Sequence, residues 1–236
     1  MKLFQLAYVC RAYRDVTHYD AEYLNFLKRT GDKLDFTKPT DMSALLKWLN
    51  SWGCRQFAVD CHEQAAESIR KWAEKWEPAL PKDSMTLDCL SDEDIQVAGD
   101  AYGELSKCLA STQTRGGKRH DVRVGPTGAA KILFAARPKA FPPWDEPIRG
   151  EFGWDGSPAS YCAYLASVRE QIRQLCSEAA ELGVPPEDIP SAIGRPKSTL
   201  PKLIDEFNWI TITKDFSPPE PSEVAKWYRW SSHHAR

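Results

Sequence analysis

Asp145 follows the run "FPPW", Phe141 to Trp144, and precedes "EPIRGEF". Prolines stiffen the approach, and the aspartate stands where a short helix would begin. A carboxylate held at a helix start beside aromatic rings can face a developing positive charge. Cleavage of an N-glycosidic bond creates such a charge on the sugar. A fixed Asp145 could stabilise that charge or orient the attacking water. The same position also fits an ordinary helix N-cap, with Pro147 tolerated in the first turn.

A second group of residues lies upstream. "VGPTGAAK" reads as a tight turn feeding a helix N-terminus, with Gly125 and Gly128 free to take backbone angles that other residues avoid. Free N–H groups at such a terminus seat phosphate, and Thr127 lies within the turn. The preceding stretch "ASTQTRGGKRHDVRVGPTG" reads as a basic loop carrying Arg115, Lys118, Arg119, His120 and Arg123. Lys131 comes about one turn into the helix, where it could reach a pocket or bind phosphate. Arg149 lies beyond Asp145, and Trp144, Phe141 and Trp154 are the aromatic residues nearest to it in sequence. For any one tryptophan, burial in a core is the more common fate.

The run from Gly125 to Asp145 resembles the hairpin and catalytic segment of helix-hairpin-helix DNA glycosylases with the 8-oxoguanine glycosylase fold. Those proteins carry a glycine-containing hairpin, a helix, and a "V-P-V-D" or "P-I-W-D" element; here the element reads "FPPWD". The similarity covers Arg115 to Leu182, and the remainder matches only as helical. It implies a two-lobed helical glycosylase-like fold with Asp145 as the catalytic carboxylate. Gly125, Thr127 and Gly128 would hold a DNA phosphate, with Arg115, Lys118, Arg119, Arg123 and Arg149 as further DNA contacts. Trp144, Phe141 and Trp154 would line the pocket for an extruded base. Lyase-type members have a Schiff-base lysine within the hairpin, where this chain reads Pro126-Thr127. Lys131 is the displaced candidate for a catalytic lysine, and a Schiff base needs a neutral amine. Plain hydrolysis leaving an abasic site is therefore expected.

The implied substrate is double-stranded DNA with a modified base. The overall look is similar to phage-defence glycosylases acting on glucosylated hydroxymethylcytosine. Two alternatives stand beside this: a repair glycosylase for an oxidised purine such as 8-oxoguanine, and a non-catalytic DNA-binding helical module.

The elements that must position these residues are almost all helical. "TDMSALLKWLNSW" places Met42, Leu45, Leu46, Leu49 and Trp52 on one face, with Asp41 as a cap. A helix pattern resumes from Cys54 and ends before Pro78. Ser91 with Asp94 reads as a capping box. Ser157 caps a long helix with Pro158 at its first position. Tyr161, Leu165, Val168, Ile172, Leu175, Ala179 and Leu182 form its buried stripe, and Gly183 ends it. "WITIT", Trp209 to Thr213, is the strand-like run of note. One strand makes no sheet, so the class is all-α or nearly so. The basic loop suggests two lobes, 1–112 and 113–236, within one compact unit.

Composition sets bounds. The chain has 236 residues, a net charge of −2 and nine tryptophans. Near-neutral charge argues against a bulk nucleic-acid coat protein but leaves room for a local basic face. The seven cysteines lack a C-x-x-C pair and read as reduced thiols in a cytoplasmic protein. No metal, cofactor, signal peptide or membrane span is expected, and a monomer is the expected state.

Overall fold

The computed structural model describes residues 1–234, without the side chains of Arg115, Tyr228 and 231–234. It is mostly helical, as composition and periodicity predict. The first half carries α1 (Leu3–Val16), α2 (Tyr19–Thr30), α3 (Pro39–Ser51), α4 (His62–Trp76) and α5 (Asp92–Lys107). A two-stranded antiparallel ribbon follows, β1 (Leu109–Arg115) and β2 (Lys118–Arg123). Then come α6 (Gly125–Ala136), α7 (Glu146–Glu151), α8 (Pro158–Glu181), α9 (Ile189–Ala192), α10 (Leu200–Asn208) and α11 (Pro221–His234). No described helix is long and apolar enough to cross a membrane.

The expected stripes close the core. Met42, Leu45, Leu46, Leu49 and Trp52 are all buried, as are Tyr161, Leu165, Val168, Ile172, Leu175 and Ala179 on α8. Leu182 departs from that stripe: it is the C-cap residue just past α8 and is 66% exposed. The Ser91 hydroxyl accepts the Asp94 N–H at 3.1 Å while the Asp94 carboxylate accepts the Ser91 N–H at 2.9 Å, a reciprocal cap. Ser157 accepts the Ser160 N–H, and Pro158 opens α8. One apolar cluster runs from Leu3 to Ile204 through both chain halves. Helix α1 packs on α10, and α5 packs on both α6 and α8.

Several local readings change. The stretch before Gly125 is a hairpin rather than a loop. Gly116 and Gly117 turn it with φ of 57° and 74°, angles that suit glycine in a tight hairpin turn. Residues 116–121 are exposed throughout, so no apolar alternation marks the strands. The proposed division after residue 112 falls inside β1. "WITIT" forms no strand: it continues α10 as a π-turn, and Ile210 packs with Val9 and Tyr13. Packing there outweighs the strand preference of β-branched residues. Helix α4 begins at His62, after a turn from Cys54 and a 3₁₀ segment from Val59 to Cys61. Lys38, with Pro39 behind it, occupies the N-cap of α3; the Asp41 carboxylate accepts the Asp35 N–H at 3.1 Å instead.

Candidate active site

The "ARPKAFPPWD" connection from α6 to α7 is fastened along its length. Arg137 is buried; its Nε donates to the Pro81 carbonyl at 2.6 Å, and its guanidinium faces Asp83 at 3.2 Å. The Thr199 hydroxyl donates to the Pro138 carbonyl, and the Tyr164 hydroxyl donates to the Pro143 carbonyl, at 2.7 and 2.8 Å. Trp144 stacks on Tyr164 with ring centroids 5.2 Å apart. Each hydrogen bond contributes about 1 kcal/mol, and together they fix where Asp145 can stand.

Asp145 takes the backbone position of an N-cap, with φ −92° and ψ 160°, but its side chain makes no capping bond. It turns inward, and Oδ1 lies 2.8 Å from Lys131 Nζ. The lysine side chain is 5% exposed and the aspartate side chain 24%, so the pair has one buried and one solvent-facing member. Lys131 comes from the buried α6, whose glycine and alanine positions let neighbouring helices approach.

The Lys131 ammonium has two further partners. Nζ donates to the Trp52 carbonyl at 2.8 Å and lies 5.5 Å from the Trp52 ring centroid. Burial alone would drive its proton off, but the charge of Asp145 and the hydrogen bond to it outweigh that cost, and the pKa is raised. Cys54 is itself buried beside the pair, and desolvation pushes its thiol up to about 11.

Asp205 is the residue that sequence reasoning missed. It lies on α10, 5% exposed, and its Oδ1 has no hydrogen-bond partner among the described residues. Desolvation first, then the negative charge of Asp145, push its pKa up to about 8. Its neighbours on α10 are as unusual. Lys202 and Glu206 are fully buried and pair with each other, and Glu206 also pairs with Arg195; Asp20 completes the network at 2.7 Å from Arg195 and 3.3 Å from Lys202. The Trp52 ring centroid lies 5.8 Å from Lys202 Nζ as well, so both buried ammonium groups approach the same ring. The signal in the sequence is "LPKLIDEFN", where Lys202, Asp205 and Glu206 share one face of a helix that is buried along nearly its whole length.

The remaining expected site residues are placed as follows. Gly125 has φ of 68° at the start of α6, an angle natural to glycine. Gly128 is helical; a Cβ there would lie 2.7 Å from Gln56 Nε2, which donates to the Val124 carbonyl. Close packing thus explains Gly128 without a ligand. Arg149 is buried and bridges Thr127 Oγ1 and the Trp144 carbonyl, each at 3.1 Å. It clamps the start of α6 to the start of α7 rather than offering its guanidinium to solvent. Trp144 and Phe141 are fully buried in the core. Trp154 is half-buried and stacks at 4.8 Å on Phe152, which is 44% exposed. Lys118 and Arg119 lie exposed on β2, whereas Arg123 is tied to Asp121 at 3.0 Å and to the Lys107 carbonyl. The side chain of Arg115 lies outside the described residues. Among the described residues no cluster of metal-ligating side chains occurs.

Comparison of the chain with known protein families, with curated proteins and with solved structures finds no match.

Proposed function

We propose that the chain is a DNA glycosylase. It hydrolyses the N-glycosidic bond of a modified base in double-stranded DNA and leaves an abasic site. The observation that carries this reading is the 2.8 Å pair between buried Lys131 and partly exposed Asp145. A carboxylate on so constrained a segment, with one edge toward solvent, suits a sugar that becomes cationic as its base leaves. Lys131 fixes the carboxylate's orientation, so little reorganisation is needed as charge develops. Asp145 stabilises the oxocarbenium-like sugar and takes the proton of the water that attacks it.

The raised pKa of Lys131 supports hydrolysis over lyase chemistry, because a Schiff base requires the neutral amine. The burial of Trp144 and Phe141 moves the aromatic wall of the base site elsewhere. Trp154 and Phe152, just beyond α7, are the accessible rings nearest in sequence to Asp145. Glucosylated hydroxymethylcytosine is the first substrate to try, and an oxidised purine such as 8-oxoguanine the second.

The test is a panel of duplexes bearing normal, oxidised, alkylated, deaminated and glucosylated bases, heated in alkali after incubation. Scission at one modified position, absent with Asp145→Asn, supports the assignment. Duplex binding without base release from any member makes the chain a binding module instead.

A further inference from the structure

The β1–β2 ribbon packs on α4 at its base, where Ala110 and Ser111 are buried, but its outer half adds nothing to the core. Its root is fixed: the Leu109 N–H donates to Ser68 Oγ, the Val124 N–H to the Cys108 carbonyl, and Gln56 to the Val124 carbonyl. Beyond Thr112, the side chains that are described leave the body, and residues 116–121 are exposed on both faces. An isolated two-stranded ribbon is marginal in water, and this one buries no apolar surface at its outer half.

Its charge is equally distinctive. Residues 109–123 include four cations, Arg115, Lys118, Arg119 and Arg123, against the single carboxylate of Asp121, in a chain of net charge −2. Asp121 is already occupied by Arg123. Lys118 and Arg119 form no ion pair with the described residues and stand close before Gly125, the start of α6, the helix that presents Lys131. Charged side chains on a bare strand edge commonly prevent edge-to-edge pairing. That role is indifferent to sign, and here the sign is uniformly positive except for the neutralised Asp121.

The register gives the ribbon one further property. Gln113 opposes His120 and Arg115 opposes Lys118, so these four positions share one face; Thr114 with Arg119 and Thr112 with Asp121 share the other. Lys118 thus stands on one face of the ribbon and Arg119 on the other, so a ribbon set in a groove can turn one cation toward the phosphates on either side. A two-stranded ribbon fits the major groove of a duplex, about 12 Å wide, and has no matching channel on a flexible single strand. The six residues of β2 span about 20 Å, and the helical rise from Gly125 to Lys131 adds about 9 Å. The sum is shorter than one turn of duplex, about 34 Å.

We infer that the β1–β2 ribbon is an arm that lies along duplex DNA flanking the reacting nucleotide, holding phosphates through Lys118 and Arg119. It deepens the glycosylase reading in one respect and rests on it only for the assignment of DNA as the partner. The arm makes engagement depend on the duplex form.

The experiment uses the whole chain and the variant Lys118→Ser/Arg119→Ser, whose altered side chains touch nothing in the core. Fluorescence anisotropy measures binding to an unmodified 20-base-pair duplex and to one of its single strands, between 50 and 200 mM salt. For the duplex, the slope of log Kobs against log salt should become shallower by about 2, one unit for each lost phosphate contact. Single-strand affinity should change less than twofold, and the thermal midpoint should hold. An unchanged duplex slope overturns the proposal, as does an equal loss on both probes, which marks a general cationic patch. If the parent releases no base from any duplex yet the slope falls, the glycosylase reading fails and the arm stands. If the parent and the variant release a base alike with the same slope, the arm fails and the glycosylase reading stands. Preference of the parent for an acidic protein or an RNA hairpin over duplex DNA also overturns it.

Discussion

Lys131 and Asp145 meet at 2.8 Å although one belongs to the buried face of α6 and the other to the start of α7. The connection between them is pinned by Arg137, Pro138 and Pro143, so the pair is set by the backbone rather than by a flexible search of two side chains. The stiff approach to Asp145 has its explanation here: it delivers one carboxylate to one ammonium with its outer edge left open.

Asp145→Asn should reduce base release by 10²-fold or more, as expected for loss of a general base, while duplex affinity changes less than threefold. Single-turnover release and anisotropy on the same substrate separate the two effects. Equal release by parent and variant sinks the assignment of the chemistry to this residue.

The pair should also be visible in stability. A double-mutant cycle of Asp145→Asn and Lys131→Gln should give a coupling energy of about 1–3 kcal/mol by urea denaturation. The partial exposure of Asp145 places the value below that of a fully buried pair. Additive effects within about 0.3 kcal/mol mean that the two residues do not interact in solution.

Strand scission should require alkali. Lys131 keeps its proton because Asp145 and its other partners outweigh the cost of burial, so borohydride should trap no protein–DNA adduct at neutral pH. A trapped adduct that disappears in Lys131→Ala establishes lyase activity and removes the hydrolytic step proposed here.

Asp205 should give the protein a distinctive pH dependence. Its carboxyl ionises near 3.8 when unperturbed and near 8 in the fold. Between those values the folded protein holds a proton that the unfolded chain has released, so this group's contribution to stability falls as pH rises through that window and levels off above it. Asp205→Asn should remove that slope, and its stability relative to the parent should improve steadily from pH 5 to pH 8 in urea titrations. Parallel curves for parent and variant contradict a buried protonated Asp205.

Arg149→Ala should lower stability by about 2 kcal/mol, the scale of charge-assisted hydrogen bonds lost to Thr127 and the Trp144 carbonyl. The salt slope of DNA binding should stay as it is, because the guanidinium faces the protein. A shallower slope assigns Arg149 to a phosphate instead.

What the sequence determined by itself was everything that acts over a few residues. The stripes of α3 and α8 were legible in the 3.6-residue period, and the caps at Ser91 and Ser157 in residue type and spacing. Gly125 announced a turn, and Asp145 announced a helix start. The ribbon escaped notice because strands exposed on both faces carry no alternating apolar signal, and "WITIT" misled because packing against Val9 and Tyr13 overrode its preference. Only the tertiary structure decided that the Asp145 side chain would abandon its cap for Lys131, that Arg149 would clamp two helices, and that Asp205 would be sealed with a proton. Those outcomes depend on desolvation and on partners brought together from distant parts of the chain, as when Lys131 meets the carbonyl of Trp52. Local spacing contains neither quantity: the free energy of a charge is settled by what surrounds it after the helices have packed.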